Sequence, residues 1–203
     1  TTMFQQFNLH ERQHWIFDLD GTLTISAHDF GYMRSELGLE QETPILEALN
    51  AMPAEQSAPL WQRLNELECY FAGKASIMDG CRAFLEKLVR RGARLGILTR
   101  NVMPVVVETL HACDIAHLFP VDCVVDRKTC APKPSPDGIH HLLDLWQAKP
   151  EDAVMVGDYL YDLQSGRSAG VTTIHLDSRR ESRWPEYTDI YIRKFSEIAE
   201  LMA

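Results

Sequence analysis

Two hydrophobic rhythms alternate along this chain. Short apolar runs at residues 15–18, 94–99, 123–125, 153–157 and 172–176 read as buried strands, with a weaker sixth at 189–192. Between them, apolar residues recur at helical spacing in CRAFLEKLVRRG (81–92), MPVVVETLHACD (103–114), SPDGIHHLLDLWQA (135–148) and LYDLQSGRSAG (160–170). SEIAELM (196–202) reads as a closing helix. Gly92 is placed to stop the first of these helices, and Ser135 as N-cap with Pro136 in the first turn would start the third. Strands alternating with helices predict an α/β fold, a Rossmann-like parallel sheet flanked by helices.

Residues 25–78 break this rhythm. Helical patterns fill them (HDFGYMRSELG, TPILEALNA and SAPLWQRLNELECYFAG), with no convincing strand. Such an insert is too long for a simple strand-to-helix connection. The expectation is a small helical subdomain at 25–78, inserted into an α/β domain formed by 1–24 and 79–203.

Composition narrows the function classes. A chain of 203 residues can bury a sizeable core, and 45% hydrophobic with 24% charged residues is ordinary for a soluble globular protein. The net charge of −9 opposes nucleic acid or an anionic membrane surface as the main partner. A small anionic substrate stays open, because a bound cation or a local basic group can reverse the field inside one pocket. No run approaches the roughly 20 apolar residues of a membrane span. Residues 1–13 carry no basic stretch followed by an apolar one, so the chain reads as cytoplasmic. The five cysteines are scattered and lack a CxxC pair; they read as reduced, mostly buried thiols rather than zinc ligands. Nothing in the sequence speaks to oligomeric state.

The candidate chemistry sits at strand ends. HWIFDLDGTLT (14–24) runs an apolar strand into Asp18 and Asp20, two carboxylates that alternation aims to one side. The second strand ends in Thr99, Arg100 and Asn101; Lys133 follows the third, between two prolines; the fourth runs into Asp158, with Asp162 four residues on. Taken singly, each has an ordinary reading: an aspartate after a strand caps a helix or turn, and a lone lysine is a solvated amine. Together they meet where open parallel sheets bind ligands, at the carboxyl ends of the strands. Clustered acids repel unless positive charge offsets them, and a divalent ion plus one lysine would supply that offset. Groups of this kind suit phosphoryl transfer. A carboxylate attacks phosphorus, a second acid handles the proton, Mg²⁺ takes oxygen ligands, and lysine and hydroxyl groups neutralise the phosphoryl oxygens. Asp18 must then be ionised, while Asp20 must be able to carry a proton.

DLDGT (18–22), LTRN (98–101), KPSPDG (133–138) and VGDYLYD (156–162) resemble, in order and each at a strand end, the four motifs of the haloacid dehalogenase-like hydrolase superfamily. The helical insert resembles that superfamily's small helical cap, which points to the subfamily of phosphoglycolate phosphatases and β-phosphoglucomutase. The resemblance implies Asp18 as nucleophile and Asp20 as general acid/base. It implies Thr99 and Asn101 as phosphate-binding groups, with Arg100 beside them open to phosphate, a substrate carboxylate or solvent. Lys133 would stabilise both the nucleophile and the phosphate. A Mg²⁺ site would draw on Asp18, the backbone carbonyl of Asp20, Asp158 and, directly or through a neighbour, Asp162. Residues 21–26 would form the hinge for cap closure. Two departures stand out: Ile25 occupies the place of an acid common in the subfamily, and His28 falls off the position of the catalytic cap histidine of β-phosphoglucomutases, reading instead as a solvated surface residue.

The expected activity is a Mg²⁺-dependent phosphatase acting on a small phosphorylated metabolite through an aspartyl-phosphate. A phosphomutase uses the same acids, and a non-enzymatic phospho-accepting module also gathers acids and a lysine at a sheet edge. Tyr32, Arg34 and Trp61 are the cap residues offered for substrate selection.

Overall fold

The computed structural model describes residues 7–203, so the first six residues of the stretch read as lacking a leader lie outside it. Six strands form one parallel sheet in the order β5-β4-β1-β6-β7-β8. They are β1 (His14–Phe17), β4 (Arg94–Leu98), β5 (Val124–Val125), β6 (Ala153–Gly157), β7 (Thr172–Leu176) and β8 (Ile190–Ile192). The third run is thus shorter than expected, because Val121–Cys123 coils into a 3-10 turn before β5.

Alternation along the central strand assigns its side chains to two cores. Trp15 and Phe17 enter one cluster with α4 (Cys81–Arg90), α5 (Met103–Ala112) and α8 (Phe195–Leu201). Ile16 enters another with α6 (Asp137–Trp146) and α7 (Leu160–Ala169). Trp15, Ile16 and Phe17 are fully buried, each contributing about 1.5–3 kcal/mol. Phe84 packs edge-on against Trp15 and Phe17 and stacks on Phe195, locking α4 and α8 to the sheet. The start of α6 differs slightly from expectation. Pro136 is its N-cap residue, although the Ser135 hydroxyl still accepts a hydrogen bond from the Asp137 N–H at 3.2 Å.

The insert contains α1 (Phe30–Glu36), α2 (Ile45–Ala51) and α3 (Ala54–Ala72). Met33, Leu37, Leu49, Leu64, Leu67 and Phe71 bury against one another as a separate cluster. Asp29 starts α1 by accepting the Tyr32 N–H at 2.9 Å. One expectation is corrected here: the segment does contain a strand. β2 (Thr24–Ile25) and β3 (Ser76–Ile77) pair antiparallel where the chain leaves and rejoins the sheet. Two residues per strand are too few for a periodicity signal, and only their pairing makes them strands. The insert meets the α/β layer chiefly through α3 on α5, where Ala72 packs with Val102 and Val105.

Candidate active site

The strand order reverses at β1, which lies between β4 on one side and β6 on the other. Loops leaving neighbouring strands diverge at such a point and open a crevice at the carboxyl edge. Asp18 leaves β1 still bonded to the sheet, its N–H donating to Val156 at 3.0 Å. The chain then doubles back over 19–24. Leu23 and Thr24 donate their N–H groups to the Leu19 carbonyl, and Gly21 donates to Thr24 at 2.8 Å. Gly21 holds φ of 84°, and a Cβ there would sit 2.5 Å from a carboxylate oxygen of Asp158. Glycine is required on both counts.

Lys133 is the hub. Its Nζ donates to Asp18 Oδ1 at 2.8 Å, Asp162 Oδ1 at 2.7 Å and the Leu98 carbonyl at 2.8 Å, which uses all three ammonium protons. Burial alone would lower the Lys133 pKa. The Asp162 and Asp18 charges overcome it and raise the value above the ordinary lysine range. Burial raises the Asp18 carboxyl to about 7, with Lys133 opposing and Asp158 adding to the rise. Asp162 is pushed up to about 6 by burial and by Asp18, against the pull of Lys133. Asp158 is raised too, first by burial and then by Asp162. One lysine therefore leaves negative charge uncompensated among three acids.

Asp162 is held from both sides. Its Oδ2 accepts the N–H groups of Asp158 and Tyr159 at 3.2 and 3.1 Å, while its Oδ1 holds Lys133. This wrap needs a bare residue at 157, since a Cβ on Gly157 would lie 2.2 Å from the Asp162 Cβ. Thr22 fixes Asp158 by donating to Oδ1 at 2.9 Å. Oxygens of Asp18, Asp158 and Asp162 lie within 4.8 Å of one another, and this all-carboxylate donor set fits a hard divalent cation such as Mg²⁺.

Asp20 stands apart from that group. Its Oδ2 accepts a short hydrogen bond from the Asn101 side chain, and burial raises its pKa while His28 and Asn101 oppose the rise. Thr99 is buried at the end of β4, and its hydroxyl accepts the Asn101 N–H at 3.1 Å. Arg100 is exposed and lies over the Tyr161 ring at 5.3 Å.

A cavity of about 560 Å³ joins these groups to the insert; Asp18, Asp20, Thr99, Arg100, Asn101, Lys133 and Asp162 all line it. Of the cap residues offered for selection, Arg34 faces this cavity. Trp61 instead lines a neighbouring groove beside Arg127, and Tyr32 lines neither. Sequence reasoning missed Glu68 and Arg127, which also line the cavity, and Thr22. Glu68 did leave a signal, an acid set among Leu64, Leu67 and Phe71 on the apolar face of α3. His28 is corrected: it is half-buried, packs against Phe30 and Phe71, and lies close enough to Asp20 to perturb it. The cysteines are free thiols, and burial raises Cys81 to about 12. Among the described residues no helix is long and apolar enough to cross a membrane.

An acid-rich site at the switch point of a parallel sheet, facing a helical insert, places the chain among α/β proteins that bind a ligand at the carboxyl edge of the sheet. The sequence profile of the haloacid dehalogenase-like hydrolases matches residues 32–176, and the chain belongs to that family. It is therefore an enzyme, which sets aside the non-enzymatic module. It is similar to the uncharacterized hydrolase YOR131C of Saccharomyces cerevisiae, 29% identical over 194 residues, covering 92% of this chain and 89% of that one. Pyrophosphatase PpaX of Bacillus cereus is 34% identical over 89 residues, 44% of this chain and 41% of its own length. Among solved structures, CbbY from Rhodobacter sphaeroides in complex with phosphate shares the fold. Its TM-score is 0.74 at 21% identity, with 92% of this chain and 96% of that one covered.

Proposed function

We propose that this hydrolase is a Mg²⁺-dependent phosphatase acting on a small phosphorylated metabolite through an aspartyl-phosphate on Asp18. One observation carries the reading: the two acids of the DLDGT stretch have different partners, Asp18 on the Lys133 ammonium and Asp20 on the Asn101 amide. Lys133 opposes the burial that raises Asp18 to about 7, and a bound cation beside it would complete the ionisation a nucleophile needs. Asp20, raised by burial with no ammonium bonded to it, suits the holding of a proton. A relative named a pyrophosphatase, and a structure of the same fold with phosphate bound, support the same reading.

In this mechanism an Asp18 carboxylate oxygen forms a bond to phosphorus as the ester P–O bond breaks. Asp20 gives its proton to the departing oxygen. Water then attacks the aspartyl-phosphate, Asp20 takes a proton from it, and free phosphate leaves with Asp18 restored. Lys133 offsets charge on Asp18 and on the transferred group, and Thr99 and Asn101 border the phosphoryl oxygens. Asp18, Asp158 and the backbone carbonyl of Asp20 would hold Mg²⁺, which when bound supplies positive charge beside the reacting carboxylate. Asp162 positions its neighbours, because both its oxygens already accept hydrogen bonds. Residues 25–78 act as a cap that excludes water, hinged where β2 and β3 pair.

Release of phosphate from p-nitrophenyl phosphate with Mg²⁺ tests this. Asp18→Asn is expected to lower kcat by on the order of 10³-fold or more. Retention of full turnover by that variant would remove Asp18 as nucleophile. A phosphomutase is the second reading, favoured by the placement of His28 beside Asp20. With a sugar 1-phosphate, an isomerised sugar phosphate supports the mutase and free phosphate the hydrolase.

A further inference from the structure

Opposite the acids, the cavity wall carries a charged group that the proposed chemistry does not use. Glu68 lies on α3 among Leu64, Leu67 and Phe71, is 9% exposed, and lines the same cavity as Asp18 and Asp20. Its Oε2 is buried and has no hydrogen-bond partner among the described residues. Buried carboxylate oxygens are otherwise satisfied almost without exception, because an unpaired one costs its full desolvation. Burial raises the Glu68 pKa; Arg127 opposes that rise and Asp20 adds to it, so the group lies within electrostatic reach of the proton-handling acid. Arg127 belongs to the loop after β5, donates its backbone N–H to the Asn101 carbonyl at 3.1 Å, and lies 5.9 Å from the ring of Trp61, about two helical turns before Glu68 on α3. The acid thus lies at the seam between insert and sheet. From the insert, Phe30, Met33, Ile45, Leu46 and Leu64 give the cavity an apolar wall, which Arg34 and Glu47 interrupt.

We propose that Glu68 is a specificity-determining residue, accepting a hydrogen bond from a hydroxyl on the leaving group and so selecting phosphate esters of polyols over alkyl phosphates of the same length. This rests on the phosphatase reading and deepens it. A buried acceptor without a partner discriminates strongly. An ester that offers a donor satisfies the orphaned oxygen, while an alkyl ester leaves it stranded and desolvated.

The experiment compares kcat/KM for glycerol 1-phosphate with propyl phosphate, and for sorbitol 6-phosphate with hexyl phosphate, in the Mg²⁺-loaded protein. For at least one pair the polyol is expected to be preferred, and Glu68→Met is expected to cut that preference by about 10- to 100-fold. Glu68→Gln keeps an acceptor oxygen and should restore part of it. Glu68→Met should also raise Tm by about 2 °C or more, since it removes a buried unpaired carboxylate; a merely structural glutamate would lose stability instead. Equal preference in wild type and Glu68→Met for both pairs overturns the proposal. Affinity of the same esters for Asp18→Asn protein keeps the two readings distinguishable. Selectivity in binding that depends on Glu68, without turnover in the wild type, overturns the phosphatase and supports the role of Glu68. Turnover with preferences that ignore Glu68 does the reverse.

Discussion

At the sheet edge, Lys133 alone meets three acceptors and Asp162 accepts three donors, whereas the facing wall on α3 leaves Glu68 with an oxygen that has no hydrogen-bond partner among the described residues. The elements behind these walls differ as well. Asp18, Asp20 and Asp158 follow strands, and Asp162 opens α7, all on elements whose side chains pack into two large cores, while the insert rests on one small cluster of its own. The contrast teaches how labour divides in this molecule. Groups that must meet any phosphoryl group are pre-arranged by the fold, and groups that meet the rest of a substrate are left for the substrate to complete.

The largest break in that comparison should come from Lys133→Met. It leaves Asp18 and Asp162 buried together without their cation, a loss of about 3–5 kcal/mol in stability. Urea unfolding at pH 8 measures it, and the loss should shrink at low pH as both acids protonate. A variant as stable as wild type at pH 8 would mean that the edge is not held by this network.

A smaller effect sharpens the comparison from the other side. Leu49→Ala empties space in the cluster of the insert and should cost about 2–5 kcal/mol. Hydrogen exchange is expected to rise across α1–α3 while β1 amides keep their protection. Equal loss in both places would make the two regions one cooperative unit.

The smallest effect concerns pH and metal. The folded pKa values of Asp18 and Asp162, about 7 and about 6, lie above the ordinary aspartate value of 3.8. The stability linked to these groups is therefore fully present below about pH 4 and is lost as pH rises through 6 to 7. Chelated protein should lose Tm across that window. Mg²⁺, which would draw on the ionised Asp18, should restore about 2–3 kcal/mol at 100 times its Kd at pH 8 and much less at pH 5. A Tm gain equal at both pH values would separate metal binding from these carboxylates.

Much of this was legible in the residue pattern, and the reason differs by element. β1, β4 and β6 announce themselves because fully buried parallel strands need unbroken apolar runs. DLDGT is readable because alternation by two is a local property, so Asp18 and Asp20 share a side whatever surrounds them. The β2–β3 pair was not readable, since two-residue strands exist only through a partner fifty residues away in the chain. His28 was misjudged for a similar reason: its neighbours Phe71 and Asp20 come from other segments.

By itself the sequence determined the alternation of strands and helices, the helical insert, and which residue types end each strand. These follow from side-chain periodicity and backbone preference within a few residues. Only the tertiary structure decided that Lys133 sits between Asp18 and Asp162, that Asn101 takes Asp20 away from that group, and that Glu68 faces them across the cavity. Those pairings join residues as far apart as 18 and 133. Burial and charge compensation, which exist only once distant segments pack, select them.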